Sequence, residues 1–126
     1  MMTATAIKES LSECIQAQLD TVAQWHEPDS FEKPGGRDLL GLVLAEHWIN
    51  FSLWHTEDEA RRTDVGAEVI AECKRKIDRL NQQRNDQIEV MDRYLVDLIS
   101  PLLPEDAKDL VNTETLGMAL DRLSIL

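Results

Sequence analysis

The stretch Ile70-Ala-Glu-Cys-Lys-Arg-Lys-Ile-Asp-Arg-Leu-Asn-Gln-Gln-Arg-Asn-Asp-Gln-Ile-Glu-Val-Met-Asp-Arg-Tyr-Leu-Val-Asp-Leu98 decides the fold. Ile70, Cys73, Ile77, Leu80, Ile88, Met91, Leu95 and Leu98 recur at three- and four-residue intervals, the repeat of one face of an α-helix. No proline follows until Pro101, so one long helix is expected from about Val65 to Ser100, capped by Thr63 or Asp64. A single charged residue, Arg84, stands on its apolar stripe.

Upstream, Asp38 is a plausible N-cap for a helix reaching about Arg62, with a stripe of Leu40, Val43, His47, Phe51, Trp54, Asp58 and Arg61. His47, Asp58 and Arg61 interrupt that stripe, and such breaks in a local rule mark functional or strained sites. Only a few residues join the two helices, so they are expected to pack as an antiparallel hairpin. Mirrored about the turn, Asp58 falls near Glu72 to Arg75, and His47 and Asn50 fall near Asp78 to Asn85. A first helix over residues 3–25 is predicted by Ile7, Leu11, Cys14 or Ile15, Leu19 and Val22. Two prolines and Gly35-Gly36 make residues 26–37 a loop. Pro104 suits the first turn of a short helix, and Thr113 can cap a last one from Glu114 to Leu126. No segment alternates as a strand would. The expected fold is all-α: one domain over residues 1–126, an antiparallel helical bundle of three long helices plus one or two short C-terminal helices.

The chain has 126 residues, 43% of them hydrophobic, enough for one modest core. A net charge of −11 and a pI near 4.6 argue against nucleic acid, because the one basic cluster, Lys74-Arg75-Lys76, is flanked by Glu72 and Asp78. Cys14 and Cys73 form no CxxC pair and are expected to be free and buried. No run of about eighteen apolar residues spans a membrane, and Lys8 and Glu9 precede any apolar stretch, unlike a signal peptide. A cytoplasmic location follows as an expectation.

Three blocks carry a resemblance. They are Trp54-His-Thr-Glu-Asp-Glu-Ala-Arg61, then Ile77-Asp-Arg-Leu-Asn-Gln-Gln-Arg-Asn-Asp-Gln-Ile-Glu89, then Glu114-Thr-Leu-Gly117 with Asp121-Arg-Leu-Ser-Ile125. In this order they resemble the bacterial family of unknown function DUF4254, over about residues 47–126. The resemblance implies motifs and no activity. Family members are expected to continue past the last block into more helix, so the chain is expected to be a truncated or short form. An apolar face left uncovered would then favour a homo-oligomer.

Three constellations could carry chemistry. Glu57 and Asp58 on the second helix, with Glu89 on the third, are carboxylates of the kind that hold Mg²⁺ or Mn²⁺ in helical bundles. Glu89-Val-Met-Asp92 is similar in form to the Glu-x-x-Asp helix of the all-α nucleotide pyrophosphatases, although the mirrored register separates Asp58 from Glu89 by several turns. The bland alternative is a solvated acidic face. His55 and Asp58, three apart, form a candidate acid/base pair, while His47 is either part of a site or a hydrogen-bonded core histidine.

Asp78, Asn81, Arg84, Asn85 and Glu89 form a polar strip facing His47 and Asn50, in which Arg84 calls for a carboxylate such as Asp58, Asp78 or Asp121. As a pocket lined also by His47, Asn50 and Asp78, Arg61, Lys74, Arg75 and Arg84 would hold the phosphate or carboxylate of a small molecule, Asn81 and Asn85 would choose its neighbouring group, and Trp54 would stack on a planar ring. As a structural network, the same residues would fix helix register in a non-catalytic interaction module. Ser52 and Ser124 lack a turn that activates a hydroxyl, so nucleophilic catalysis is not expected.

Overall fold

A computed structural model describes residues 3–26, 36, 38–103 and 114–125. Among these the chain is all-α: α1 spans Ala4–Trp25, α2 Leu39–Ala60, α3 Ala67–Ile99 and α4 Leu116–Ile125, with one 3₁₀ turn at Ser100–Leu102. No described helix is long and apolar enough to cross a membrane. The short helix expected at Pro104, and the Thr113 cap, lie outside the described residues.

The caps explain the boundaries. Thr3 Oγ1 accepts the Ala6 amide at 3.1 Å and starts α1, and Asp38 Oδ1 accepts the Gly41 amide at 3.0 Å and starts α2 as expected. The third helix departs from expectation. Neither Thr63 nor Asp64 caps it; Gly66 is its N-cap, without a side-chain bond. Asp64 is already held by Arg62, at 2.9 Å from Nε and 2.7 Å from Nη2, so the carboxylate is not available to the helix. The last helix starts two residues later than Glu114, where Thr115 Oγ1 accepts the Met118 amide at 3.1 Å.

The α2–α3 hairpin forms the largest interhelical contact, and its register is antiparallel. Gln87 Nε2 donates to the Leu42 carbonyl at 3.0 Å near one end, while Cys73 Sγ lies 3.9 Å from Glu59 Oε2 near the other. The α3 stripe is as expected, with Cys73, Met91 and Leu95 buried and Arg84 half-buried between them. On α2 the buried line is Leu39, Val43, Glu46, His47, Asn50, Leu53 and Thr56. Leu40 and Phe51 are half-buried, and Trp54, Asp58 and Arg61 are exposed. The expected stripe was therefore rotated by about one residue, because it followed the apolar side chains and the core face of this helix is largely polar. On α1, Gln18 is buried and Leu19 is 66% exposed, a reversal of the same origin.

Cys14, Leu39, Val43, Met91, Leu95 and Leu120 make one buried apolar cluster drawn from all four helices. Cys14 and Cys73 are both free and buried, and burial, reinforced by Glu13 and Asp38, pushes the Cys14 thiol up to about 11. α4 closes the bundle through a close approach. The Gly117 amide donates to Asp92 Oδ1 at 2.7 Å, and a Cβ at position 117 would stand 2.7 Å from that oxygen and 3.0 Å from the Ile88 carbonyl. Gly117→Ala is expected to destabilise by about 1–3 kcal/mol, the usual range for overpacking, although alanine is the better helix former by about 1 kcal/mol. Thermal denaturation checks it, and an unchanged or raised midpoint would show that α4 does not dock through this contact.

Candidate functional site

The polar residues of α2 converge with α3 and α4 in the middle of the bundle. Arg84 Nε donates to Asp121 Oδ1 at 2.7 Å and Nη2 donates to Oδ2, a bidentate pair between α3 and α4. Of the three partners expected for Arg84, Asp121 is the one found. Asn50 Nδ2 lies 2.8 Å from Glu46 Oε1, 3.0 Å from Asp121 Oδ1 and 3.1 Å from Ser124 Oγ, so a single amide ties α2 to α4. Gln18 Nε2 adds α1 by donating to the Leu120 carbonyl at 3.2 Å.

Glu46 is the most deeply placed member, with no exposed surface. Its Oε2 accepts no hydrogen bond among the described residues. An ionised carboxylate could not remain so, because leaving a buried charge short of donors costs several kcal/mol. Protonation resolves it: the acid donates to Asp121. Burial, then the hydrogen bond and negative charge of Asp121, push the Glu46 carboxyl up to about 9, against the pull of Asn50 and Arg84. Asp121 moves the other way. Burial opposes its charge, but hydrogen bonds from Arg84, Glu46 and Asn50 hold it well below the usual carboxylate range. The pair therefore carries one proton, on Glu46, and one negative charge, on Asp121, neutralised by Arg84.

His47 sits beside this network and is 2% exposed. Its Nε2 is 2.7 Å from the Gln18 carbonyl, which only accepts, so the ring proton is on Nε2 and the Nδ1 lone pair accepts from the Ser124 hydroxyl. Burial lowers the His47 pKa, partly offset by the Gln18 bond, and keeps the ring neutral. A cleft of about 250 Å³ opens on this edge of the network. His47, Asn50 and Ser124 form its polar floor, and Val22, His26, Phe51, Trp54 and Ile125 its walls. The aromatic wall is continuous: Trp25 lies 5.2 Å from His47 and 5.3 Å from Phe51 between ring centroids, and Phe51 lies 4.4 Å from His55.

The other expected site residues lie elsewhere. Asp58 pairs with Arg61 at 3.6 Å on the surface, whereas His55 is exposed and packs against Phe51 and His26, so His55 and Asp58 serve different neighbours. Lys74, Asp78, Asn81, Asn85 and Glu89 are exposed on α3, and Glu57 is half-buried on α2. Among the described residues no three His, Cys, Asp or Glu side chains converge to hold an ion, so Glu57, Asp58 and Glu89 are not brought together. Sequence reasoning brought in His47, Asn50 and Arg84 and named Asp121 as one partner. It missed Glu46 and Gln18 and set Ser124 aside. One signal for Glu46 was present, since Leu39, Val43, Glu46, Asn50 and Leu53 keep an unbroken four–three spacing.

A model of the family described as "Protein of unknown function (DUF4254)" matches residues 40–126, which hold every member of the network except Gln18. No curated protein and no solved structure matches the chain.

Proposed function

The chain belongs to the DUF4254 family, and from the geometry of the cleft we propose that it binds a small molecule between α1, α2 and α4. The Glu46–Asn50–Arg84–Asp121 network is the rigid back wall of that site. The observation that carries this is the composition of the cleft: a floor of neutral hydrogen-bonding groups, His47, Asn50 and Ser124, under a wall of aromatic rings. Small-molecule sites combine those two features, with few polar groups fixing orientation and rings supplying contact area.

The ligand is planar and uncharged rather than phosphorylated. Arg84, which shares Asp121 with Asn50 of the floor, is already engaged at both ends of its fork by that carboxylate, and Arg61 and Lys74 are exposed and do not line the cleft. The expectation of a phosphate clamp assisted by Mg²⁺ or Mn²⁺ therefore finds less support than stacking on Trp54, which is 58% exposed at the rim. Two free cysteines suit a reducing cytoplasm, where the protein is proposed to act.

A thermal-shift screen of uncharged heteroaromatic compounds against sugar phosphates and nucleotides, with and without divalent metals, tests it. The expected result is a rise of several degrees with members of the first class, reduced by Trp54→Ala, a change at an exposed position that leaves the bundle intact. A rise confined to phosphorylated compounds would restore the phosphate clamp. No rise from any compound in a folded sample would leave the network as a device for fixing helix register, and the protein as an interaction module.

A further inference from the structure

We propose that Ser124 is a nucleophile with His47 as its general base, and that the cleft accepts esters of apolar or aromatic acids; this rests on the binding site proposed above. A serine inside a helix commonly points its hydroxyl to solvent or returns it to the carbonyl four residues back. Here that carbonyl, Leu120, accepts Gln18 Nε2 at 3.2 Å, and the Ser124 hydroxyl turns to His47 Nδ1. Nucleophile, base and orienting group are thus in series, because the Gln18 carbonyl fixes the His47 tautomer that presents a lone pair to the hydroxyl. The series opens on the cleft, since both His47 and Ser124 line it. Asn50 Nδ2 lies 3.1 Å from Ser124 Oγ, and its two protons already face Glu46 and Asp121, so it serves an oxyanion beside Ser124 only by giving up one of those bonds. Val22, Phe51, Trp54 and Ile125 are the walls that an apolar acyl group would meet.

The step balances without a cofactor. Ser124 Oγ attacks the ester carbonyl carbon while its proton passes to His47 Nδ1. The bond from that carbon to the alcohol oxygen breaks, and the departing oxygen takes the proton back from Nδ1, leaving Ser124 acylated. A water molecule then gives a proton to Nδ1 as it attacks the acyl carbon. The acid leaves, Ser124 Oγ recovers the proton, and the net change is ester and water to acid and alcohol.

The full chain is incubated with an aryl fluorophosphonate and followed by intact mass and peptide mapping. The expected result is one phosphonyl adduct, on Ser124, absent from Ser124→Ala and formed at least about tenfold more slowly in His47→Gln, within the range of general-base contributions. His47→Gln disturbs a buried position, so the native chain supplies an independent reading: its labelling rate falls as acid protonates His47. No adduct on folded protein, an adduct that persists in Ser124→Ala, or a rate that does not fall in acid each overturns the proposal. Reversible binding is read separately by thermal shift. A stabilising uncharged ligand with no adduct removes the nucleophile and leaves the binding site standing, whereas loss of both removes both.

Discussion

Arg84→Met is expected to destabilise the protein by about 3–5 kcal/mol, the loss that follows when one partner of a buried ion pair is removed. Asp121 is the reason. Its side chain is only 9% exposed, and the bidentate contact from Arg84 balances its charge. Without the guanidinium, Asp121 must stay ionised in a poor solvent or take up a proton beside Glu46, which already holds one. The reciprocal change, Asp121→Asn, should cost less, about 1–3 kcal/mol, because the Arg84 side chain is 29% exposed and its freed N–H groups can reach water. Asp58→Asn is the control: Asp58 and Arg61 have side chains 53% and 75% exposed, a pair worth about 0–1 kcal/mol. Urea unfolding of the three variants at neutral pH measures the order. Equal losses for Arg84→Met and Asp58→Asn would show that the Arg84–Asp121 pair does not hold α4 to the bundle.

Glu46→Gln is expected to stabilise the protein at alkaline pH, the opposite of what removing a buried hydrogen-bonding side chain usually does. The sign follows from proton binding. Glu46 has a folded pKa of about 9 against an ordinary value of 4.5. Between those values the folded chain keeps a proton that the unfolded chain has released, so stability falls as pH rises. At 1.36 kcal/mol per pH unit, the loss at pH 7 is roughly 3 kcal/mol. His47 acts in the other direction. Its folded pKa lies below the ordinary 6.5, so its contribution is complete above 6.5 and is lost as pH falls beneath it. Asp121, with a depressed pKa, contributes fully above 3.8 and loses its effect below that. The clear window is therefore from 6.5 to about 9, where the raised Glu46 carboxyl sets the slope and the His47 contribution is already complete. In that window the wild-type melting temperature should decline and the Glu46→Gln curve should stay flat. A glutamine amide can accept from Asn50 and donate to Asp121, as the acid does. Parallel curves for the two proteins would mean that Glu46 is ionised in the folded state.

The helices themselves were legible because caps and periodicity are local. Asp38, the α3 stripe and Pro101 each act within a few residues of where they stand in the chain. The pairing of α2 with α3 was legible too, since a short turn leaves a hairpin little freedom of register. The centre was harder to read because its members are polar and distant in sequence. A rule that looks for apolar residues passes over Gln18, Glu46 and Asn50, which occupy core positions on α1 and α2. The partners of His47 could not be inferred either: Ser124 is 77 residues away and Gln18 is 29. Arg84 was the exception, because a charge on an apolar stripe announces a need for a partner, and Asp121 was one of three carboxylates that could meet it.

The ten-residue helix α4 supplies Leu120 to the apolar cluster, Asp121 to Arg84 and Ser124 to His47, and it is pinned by Gly117 to Asp92. A helix of that length is marginal by itself in water. Its contact with Gln18 closes a separation of 102 positions, an entropic barrier that local hairpin pairing does not face. The α2–α3 hairpin, local in sequence, is expected to form early, with α4 joining it through contacts more distant in the chain. While α4 is undocked, Arg84 lacks its Asp121 carboxylate and Asn50 its bonds to Asp121 and Ser124. Docking of α4 brings Asp121 against Glu46, so at neutral pH the seating of this helix is expected to be linked to uptake of a proton.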